Sequence, residues 1–141
     1  MLKAKDLMSK VLKFVTPNES IETISQIMKD CDLGIVPVLD EEHNLLGVVT
    51  DRDIVIRNIA KKATGNNKKE MTAEDIMTRN VVTASPDDNI YDISKIMALK
   101  KIRRIPIVTN NKLVGIVSIA DIAVTRKFDS EIAEAISEIS Q

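Results

Sequence analysis

The chain is written twice. Slid along itself so that Asp6 falls on Asp75, it places Asp6-Leu7-Met8-Ser9 on Asp75-Ile76-Met77-Thr78 and Thr16-Pro17 on Ser85-Pro86. Ile21, Ile24, Ser25, Ile27 and Met28 then meet Ile90, Ile93, Ser94, Ile96 and Met97, and Val36-Pro37-Val38 meets Ile105-Pro106-Ile107. One residue is lost in a turn. Beyond it, Leu45-Leu46-Gly47-Val48-Val49-Thr50 falls on Leu113-Val114-Gly115-Ile116-Val117-Ser118, and Asp53-Ile54 on Asp121-Ile122. All four prolines pair, and so do two of the four glycines. Proline locks its own backbone angle, so shared prolines mean shared backbone geometry. The period is too long for a solenoid unit, so each copy is a small module in its own right.

Each copy reads as strand, helix, strand, strand, helix. A short strand is expected before each first proline, at Leu12–Val15 and Val81–Ala84. Ser20 and Asn89 are suited to cap helices whose apolar face recurs at helical spacing. Two β-rich runs follow around a polar turn, which suggests a hairpin: Gly34–Leu39 with Leu45–Val49, and Arg104–Val108 with Leu113–Val117. Second helices are expected near Asp51–Lys62 and Ile119–Arg126. The expected organisation is repeat one over 1–62, a polar linker over 63–70 that holds Gly65-Asn66-Asn67, and repeat two over 71–127. An amphipathic C-terminal helix over 128–141 would carry Ile132, Ile136 and Ile139 on one side. The methionines at 8, 28, 77 and 97 sit at matched apolar positions and are read as core packing.

Composition excludes several classes of function. The formal net charge is −1, so nothing global attracts nucleic acid or an anionic membrane. Only Phe14, Phe128 and Tyr91 are aromatic, too few for a base-stacking platform. Cys31 and His43 are each the only residue of their type, which does not fill a tetrahedral metal site, and no metal is expected. Cys31 is read as a small apolar residue with a free thiol, consistent with a reducing cytoplasm. No apolar run approaches a membrane span, and a cytoplasmic protein is expected. No Cys–His dyad, spare histidine base or Gly-rich phosphate loop is present, so no catalytic residue is assigned and an enzyme is not expected.

The segment best suited to chemistry is Gly47-Val48-Val49-Thr50-Asp51-Arg52-Asp53, with Gly115-Ile116-Val117-Ser118-Ile119-Ala120-Asp121 as its copy. In each, a hydroxyl residue stands where a strand turns into a helix, beside free N–H groups and the positive end of the helix dipole. That position favours a phosphate. The carboxylate three residues on can accept two adjacent ribose hydroxyls. The same spacing also describes a capping box, which closes a helix N-terminus and nothing more. Both readings stand at this point.

Asp-Leu-Met-Ser, Thr-Pro, Val-Pro-Val and Gly-Val-Val-Thr-Asp-Arg-Asp, in that order, resemble the cystathionine β-synthase (CBS) domain. The second copy matches with Asp-Ile-Met-Thr, Ser-Pro, Ile-Pro-Ile and Gly-Ile-Val-Ser-Ile-Ala-Asp, so the resemblance runs from about Ala4 to about Lys127. It implies an α/β (α+β) fold of two βαββα repeats packed as a pseudo-two-fold pair, a stand-alone Bateman module. It also implies clefts between the repeats that take AMP, ADP, ATP, S-adenosylmethionine or NAD, with no cofactor required. Carried over, polar contacts fall on Thr50 and Asp53, and on Ser118 and Asp121. The base would lie near Ile35, Val36 and Pro37 in one cleft and Arg104, Ile105 and Pro106 in the other, with edge contacts from around Phe14 and Thr83.

The copies differ where it matters. Arg52, which suits a phosphate or else a solvated ion pair with Asp51 or Asp53, has no counterpart in the second copy, and Arg103-Arg104, which could reach a phosphate or simply protect an edge strand, replaces Gly34-Ile35. Two clefts of unequal affinity are therefore expected. The leading expectation is a regulatory ligand-sensing module that acts through a homodimer or an unidentified regulated protein, with no membrane or nucleic-acid partner. The alternative is a structural or interaction module whose clefts bind no ligand.

Overall fold

A computed structural model of the chain describes residues 2–10, 13–63 and 70–125. Most of the expected linker and all of the expected C-terminal helix lie outside these residues. Helix α1 spans Ala4–Leu7 and α2 spans Ile21–Cys31. Strands β1 (Ile35–Leu39) and β2 (Leu45–Thr50) pair antiparallel, with Val36 opposite Val49 and Ile35 opposite Thr50. A helical run follows: α3 (Asp51–Asp53), a π-helical turn (Ile54–Ile59) and α4 (Ala60–Ala63). The second half repeats the series with α5 (Ala73–Ile76), α6 (Ile90–Lys100), β3 (Arg104–Thr109), β4 (Lys112–Ser118) and a helical run over 119–125.

The expected caps are present. Ser20 Oγ accepts from Thr23 N at 3.2 Å, and Asn89 Oδ1 accepts from Tyr91 N at 2.7 Å. Both long helices end on a left-handed residue that is not glycine, Asp32 (φ 53°) and Lys101 (φ 56°). The β1–β2 turn is braced by Asp40, whose carboxylate accepts from Asn44 N (2.8 Å) and Glu42 N (2.9 Å). The Asn44 N–H is the main reason that carboxyl is held below its ordinary pKa. Leu12 lies outside the described residues; among those described, the strands expected before Pro17 and Pro86 are single parallel bridges, Val15 with Val38 and Ala84 with Ile107. Each keeps two backbone hydrogen bonds: Val15 N to Pro37 O (3.0 Å) and Leu39 N to Val15 O (2.9 Å), matched by Ala84 N to Pro106 O (3.0 Å) and Val108 N to Ala84 O (2.9 Å). The proline two residues on has no N–H to donate, which stops the ladder there.

The compact units in space are not the repeats in sequence. Among the described residues, one unit gathers 13–63, 70–81 and 110–113, and the other 2–10, 82–109 and 114–125. We call these the first and second unit, after the repeat that supplies each hairpin. The leading segment of each repeat therefore belongs to the other repeat's unit. In the first unit, Val36, Val38 and Val49 from the sheet and Ile21 and Ile24 from α2 share a core with Met71, Ala73, Ile76 and Met77. In the second, Ala4 joins Ile90, Ile93, Met97, Ile105, Ile107, Val117 and Ile122. Burying each of these larger aliphatic side chains contributes roughly 1.5–3 kcal/mol.

Two devices hold each leading segment. The first satisfies a short helix's free N–H groups with carbonyls near the paired prolines. Ala73 N donates to Glu19 O (2.9 Å) and Glu74 N to Pro17 O (2.8 Å). Ala4 N donates to Asp88 O (2.9 Å) and Lys5 N to Pro86 O (2.9 Å). The second is a close approach over the paired glycines. Thr78 and Val48 exchange backbone hydrogen bonds (2.8 and 3.1 Å), as Ser9 and Ile116 do (2.9 and 3.0 Å). A Cβ on Gly47 would stand 2.7 Å from Thr78 O and 2.9 Å from Met77 Sδ; one on Gly115 would stand 2.6 Å from Met8 Sδ. Glycine is needed at both positions because another segment lies on the strand there.

Gly47→Ala should therefore destabilise the protein by about 1–3 kcal/mol in urea unfolding, because a backbone carbonyl blocks the new methyl group. Gly115→Ala should cost less, since its obstacle is a methionine side chain that can give way.

Candidate functional site

Both strand-to-helix junctions form closed capping boxes. At the first, Thr50 N donates to Asp53 Oδ2 (2.9 Å), and Asp53 N donates back to Thr50 Oγ1 (3.1 Å). At the second, Ser118 N donates to Asp121 Oδ2 (3.3 Å), and Asp121 N to Ser118 Oγ (3.1 Å). The junction backbone is also tied to the start of the partner strand, through Asp51 N to Gly34 O (3.1 Å) and Ile119 N to Arg103 O (2.8 Å). The capping reading of the motif thus holds in both copies, and what separates them is how many other groups each carboxylate serves.

Asp53 is heavily engaged. Its side chain is 8% exposed. The Thr78 hydroxyl donates to it, 3.2 Å from each carboxylate oxygen. Arg57, one helical turn on, sets Nε 3.7 Å from Oδ1, while its Nη1 donates to the carbonyls of Ile76 (3.2 Å) and Met77 (3.0 Å). Asp121 is half-buried and, among the described residues, its carboxylate accepts only from Ser118 N. The position of Arg57 is taken by Thr125, whose hydroxyl turns to the Asp121 backbone carbonyl (3.0 Å). The position of Thr78 is taken by Ser9, which is exposed and pairs with Ile116 through its backbone. Sequence reading did not single out Arg57 or Thr78. The signals were there: Arg57 stands four residues from Asp53 on a helix, and Thr78 closes a duplicated motif.

The other expected contacts separate into two groups. Each set falls within one unit: Phe14, Ile35, Val36, Pro37, Thr50, Arg52 and Asp53 in the first, and Thr83, Arg104, Ile105, Pro106, Ser118 and Asp121 in the second. Val36 and Ile105 turn into the two cores, so their side chains are not on the face that carries the hydroxyl residues. Ile35 lies on that face opposite Thr50, and Arg104, its counterpart in the second copy, is exposed. Pro37 and Pro106 are buried, and their carbonyls take the Val15 and Ala84 bridges. Arg52 and Thr83 are exposed. Phe14 is exposed too, its ring 5.1 Å from that of His43. Cys31, read as an apolar position, is exposed at the end of α2, where the helix runs out of core to face.

Among the described residues no cluster of three His, Cys, Asp or Glu side chains is placed to hold a metal ion, and no helix is long and apolar enough to cross a membrane. An open groove of about 420 Å³ lies in the first unit, between α2 and the π-helical turn. Ile21, Ser25, Ile54 and Asn58 line it, and none of the expected nucleotide contacts does. Asn58 is buried there with its Nδ2 lacking a hydrogen-bond partner.

Fold and junctions define a duplicated α/β module in which each strand pair feeds a capped helix. The chain belongs to the CBS domain family, whose sequence pattern matches residues 4–58 and 73–125. It is 36% identical to the uncharacterised protein YlbB of Bacillus subtilis over the whole of this chain and 93% of that protein. A crystal structure of the CBS domain pair of protein MJ0100, in complex with 5-methylthioadenosine and S-adenosyl-L-methionine, is 33% identical. It covers 93% of this chain and 98% of that one, with a TM-score of 0.74. A crystal structure of Hypoxic Response Protein I with two coordinated zinc ions is 30% identical over 86% of this chain and 97% of that one, with a TM-score of 0.75. The chain is thus similar to one solved structure that holds adenosine compounds and to another that holds zinc ions.

The two carboxylates should respond differently to removal. Asp121→Ala should lower stability by about 1 kcal/mol, the cost of a lost cap. Asp53→Ala should cost roughly 2–3 kcal/mol, because it also strands the Thr78 hydroxyl and the Arg57 guanidinium. Urea unfolding of both variants beside the parent protein measures the difference, and equal losses would contradict the assigned hydrogen bonds.

Proposed function

We propose that the chain is a regulatory module, not an enzyme, that binds an adenosine-type ligand at its strand-to-helix junctions. Candidate ligands are AMP, ADP, ATP, S-adenosylmethionine and NAD. The observation that carries this reading is the Asp121 carboxylate, held in place by a cap yet accepting, among the described residues, only one of the several hydrogen bonds it can take. Two adjacent ribose hydroxyls fit that vacancy. The Ser118 hydroxyl and the exposed guanidinium of Arg104 supply donors for a phosphate or carboxylate on the same ligand. Thr50, Asp53 and Ile35 form the corresponding site in the first repeat, which binds more weakly because Asp53 is already engaged. The adenosine ligands of the MJ0100 pair support the choice of ligand class. Output runs through a second copy of the chain or through a regulated protein, and a ligand drives it only by favouring one of two forms.

Thermal shift with AMP, ADP, ATP, S-adenosylmethionine and NAD tests the reading. At 100 times its dissociation constant a true ligand adds about 2.7 kcal/mol of stability. At least one of the five should raise the melting temperature, Asp121→Ala should abolish most of the shift, and Asp53→Ala should retain it. No shift with any of them favours an interaction module whose clefts bind no ligand.

A further inference from the structure

We infer that Thr78 gates the first-repeat ligand site, so that binding at Asp53 and docking of the segment that carries Thr78 oppose one another. The inference rests on the nucleotide reading above and adds a regulatory group that lies outside the Gly-x-x-Thr-x-x-Asp motif. The Thr78 hydroxyl sits 3.2 Å from both oxygens of Asp53, so it bridges the outer edge of the carboxylate. A ribose diol needs that same edge, because two neighbouring hydroxyls donate to the two oxygens side by side. Two further groups attend the carboxylate: Thr50 N donates to Oδ2 at 2.9 Å, and Arg57 Nε stands 3.7 Å from Oδ1.

Thr78 is held in that position. Its backbone is paired with Val48, Met77 lies on Gly47, and Arg57 donates to the carbonyls of Ile76 and Met77. Arg57 therefore contacts both the carboxylate and the segment that covers it. A ligand that takes Asp53 must displace the hydroxyl and lose that hydrogen bond. By linkage, whatever loosens the segment raises affinity at Asp53, and a ligand bound at Asp53 loosens the segment. Among the described residues the second repeat has no such gate, since Ser9 and Thr125 stand where Thr78 and Arg57 would be and neither donates to the Asp121 carboxylate.

Titration calorimetry with AMP and with S-adenosylmethionine, in an Asp121→Ala background that leaves the first site alone, tests the gate. Thr78→Val keeps the side chain's shape and removes the donor. A hydrogen bond to a charged group is worth enough to shift a dissociation constant by about ten-fold or more, so Thr78→Val should tighten first-site binding by about that factor. Adding Asp53→Ala should abolish the gain, and Thr78→Ser, which keeps the hydroxyl, should behave as the background does. Thr78→Ala gives the same reading if the valine variant does not fold. First-site affinity unchanged or weakened in Thr78→Val overturns the gate and leaves the nucleotide reading standing. Absence of binding in the unsubstituted protein and in every variant overturns both.

Discussion

The fold depends on two glycines that lie under methionines from elsewhere in the chain. Gly47 has no side chain, and Met77 with the Thr78 carbonyl occupies the space one would fill; Gly115 stands to Met8 in the same way. The contact does more than fill a void. It brings the leading segment of one repeat onto the hairpin of the other, closes the core there, and sets two strand residues in backbone pairing with Thr78 and Ser9. Neither repeat's own residues complete its unit. A half-chain lacking its counterpart's leading segment would expose the aliphatic side chains that Ala73, Ile76 and Met77, or Ala4, now cover.

That exchange places a chemical difference at two otherwise matched junctions. The local motif is the same in both, and so is the capping box it forms. The surroundings are not. Asp53 receives a hydroxyl from the exchanged segment and an arginine from its own helix, whereas the residues at those places in the second copy turn elsewhere. A carboxylate's readiness to accept a ligand's hydroxyls depends on what already donates to it. Duplication copies the motif; later divergence at positions such as Arg57 and Thr125 changes what the motif can do.

Much of this was legible in the residues. The hairpins emerge within a residue or so of where the β-rich runs lie, because apolar runs around a polar turn have few other ways to fold. Ser20 and Asn89 cap the helices they precede, because a short side-chain acceptor beside free N–H groups is a local interaction. Of the strands expected before Pro17 and Pro86, one bridge residue each pairs among the described residues, and each proline, with no N–H to donate, stops the ladder on its C-terminal side. The π-helical turn over Ile54–Ile59 had no local signal in the pattern of apolar residues.

By itself the sequence determined what is local and periodic: two copies, their element order, the paired prolines, and a hydroxyl and a carboxylate three residues apart at each strand-to-helix junction. Only the tertiary structure decided which repeat's leading segment covers which strand, and so which carboxylate is occupied. The reason is physical. A cap is closed by residues three apart, so spacing alone predicts it. The Thr78–Asp53 hydrogen bond joins residues far apart in the chain, and its geometry exists only once Met77 has settled on Gly47.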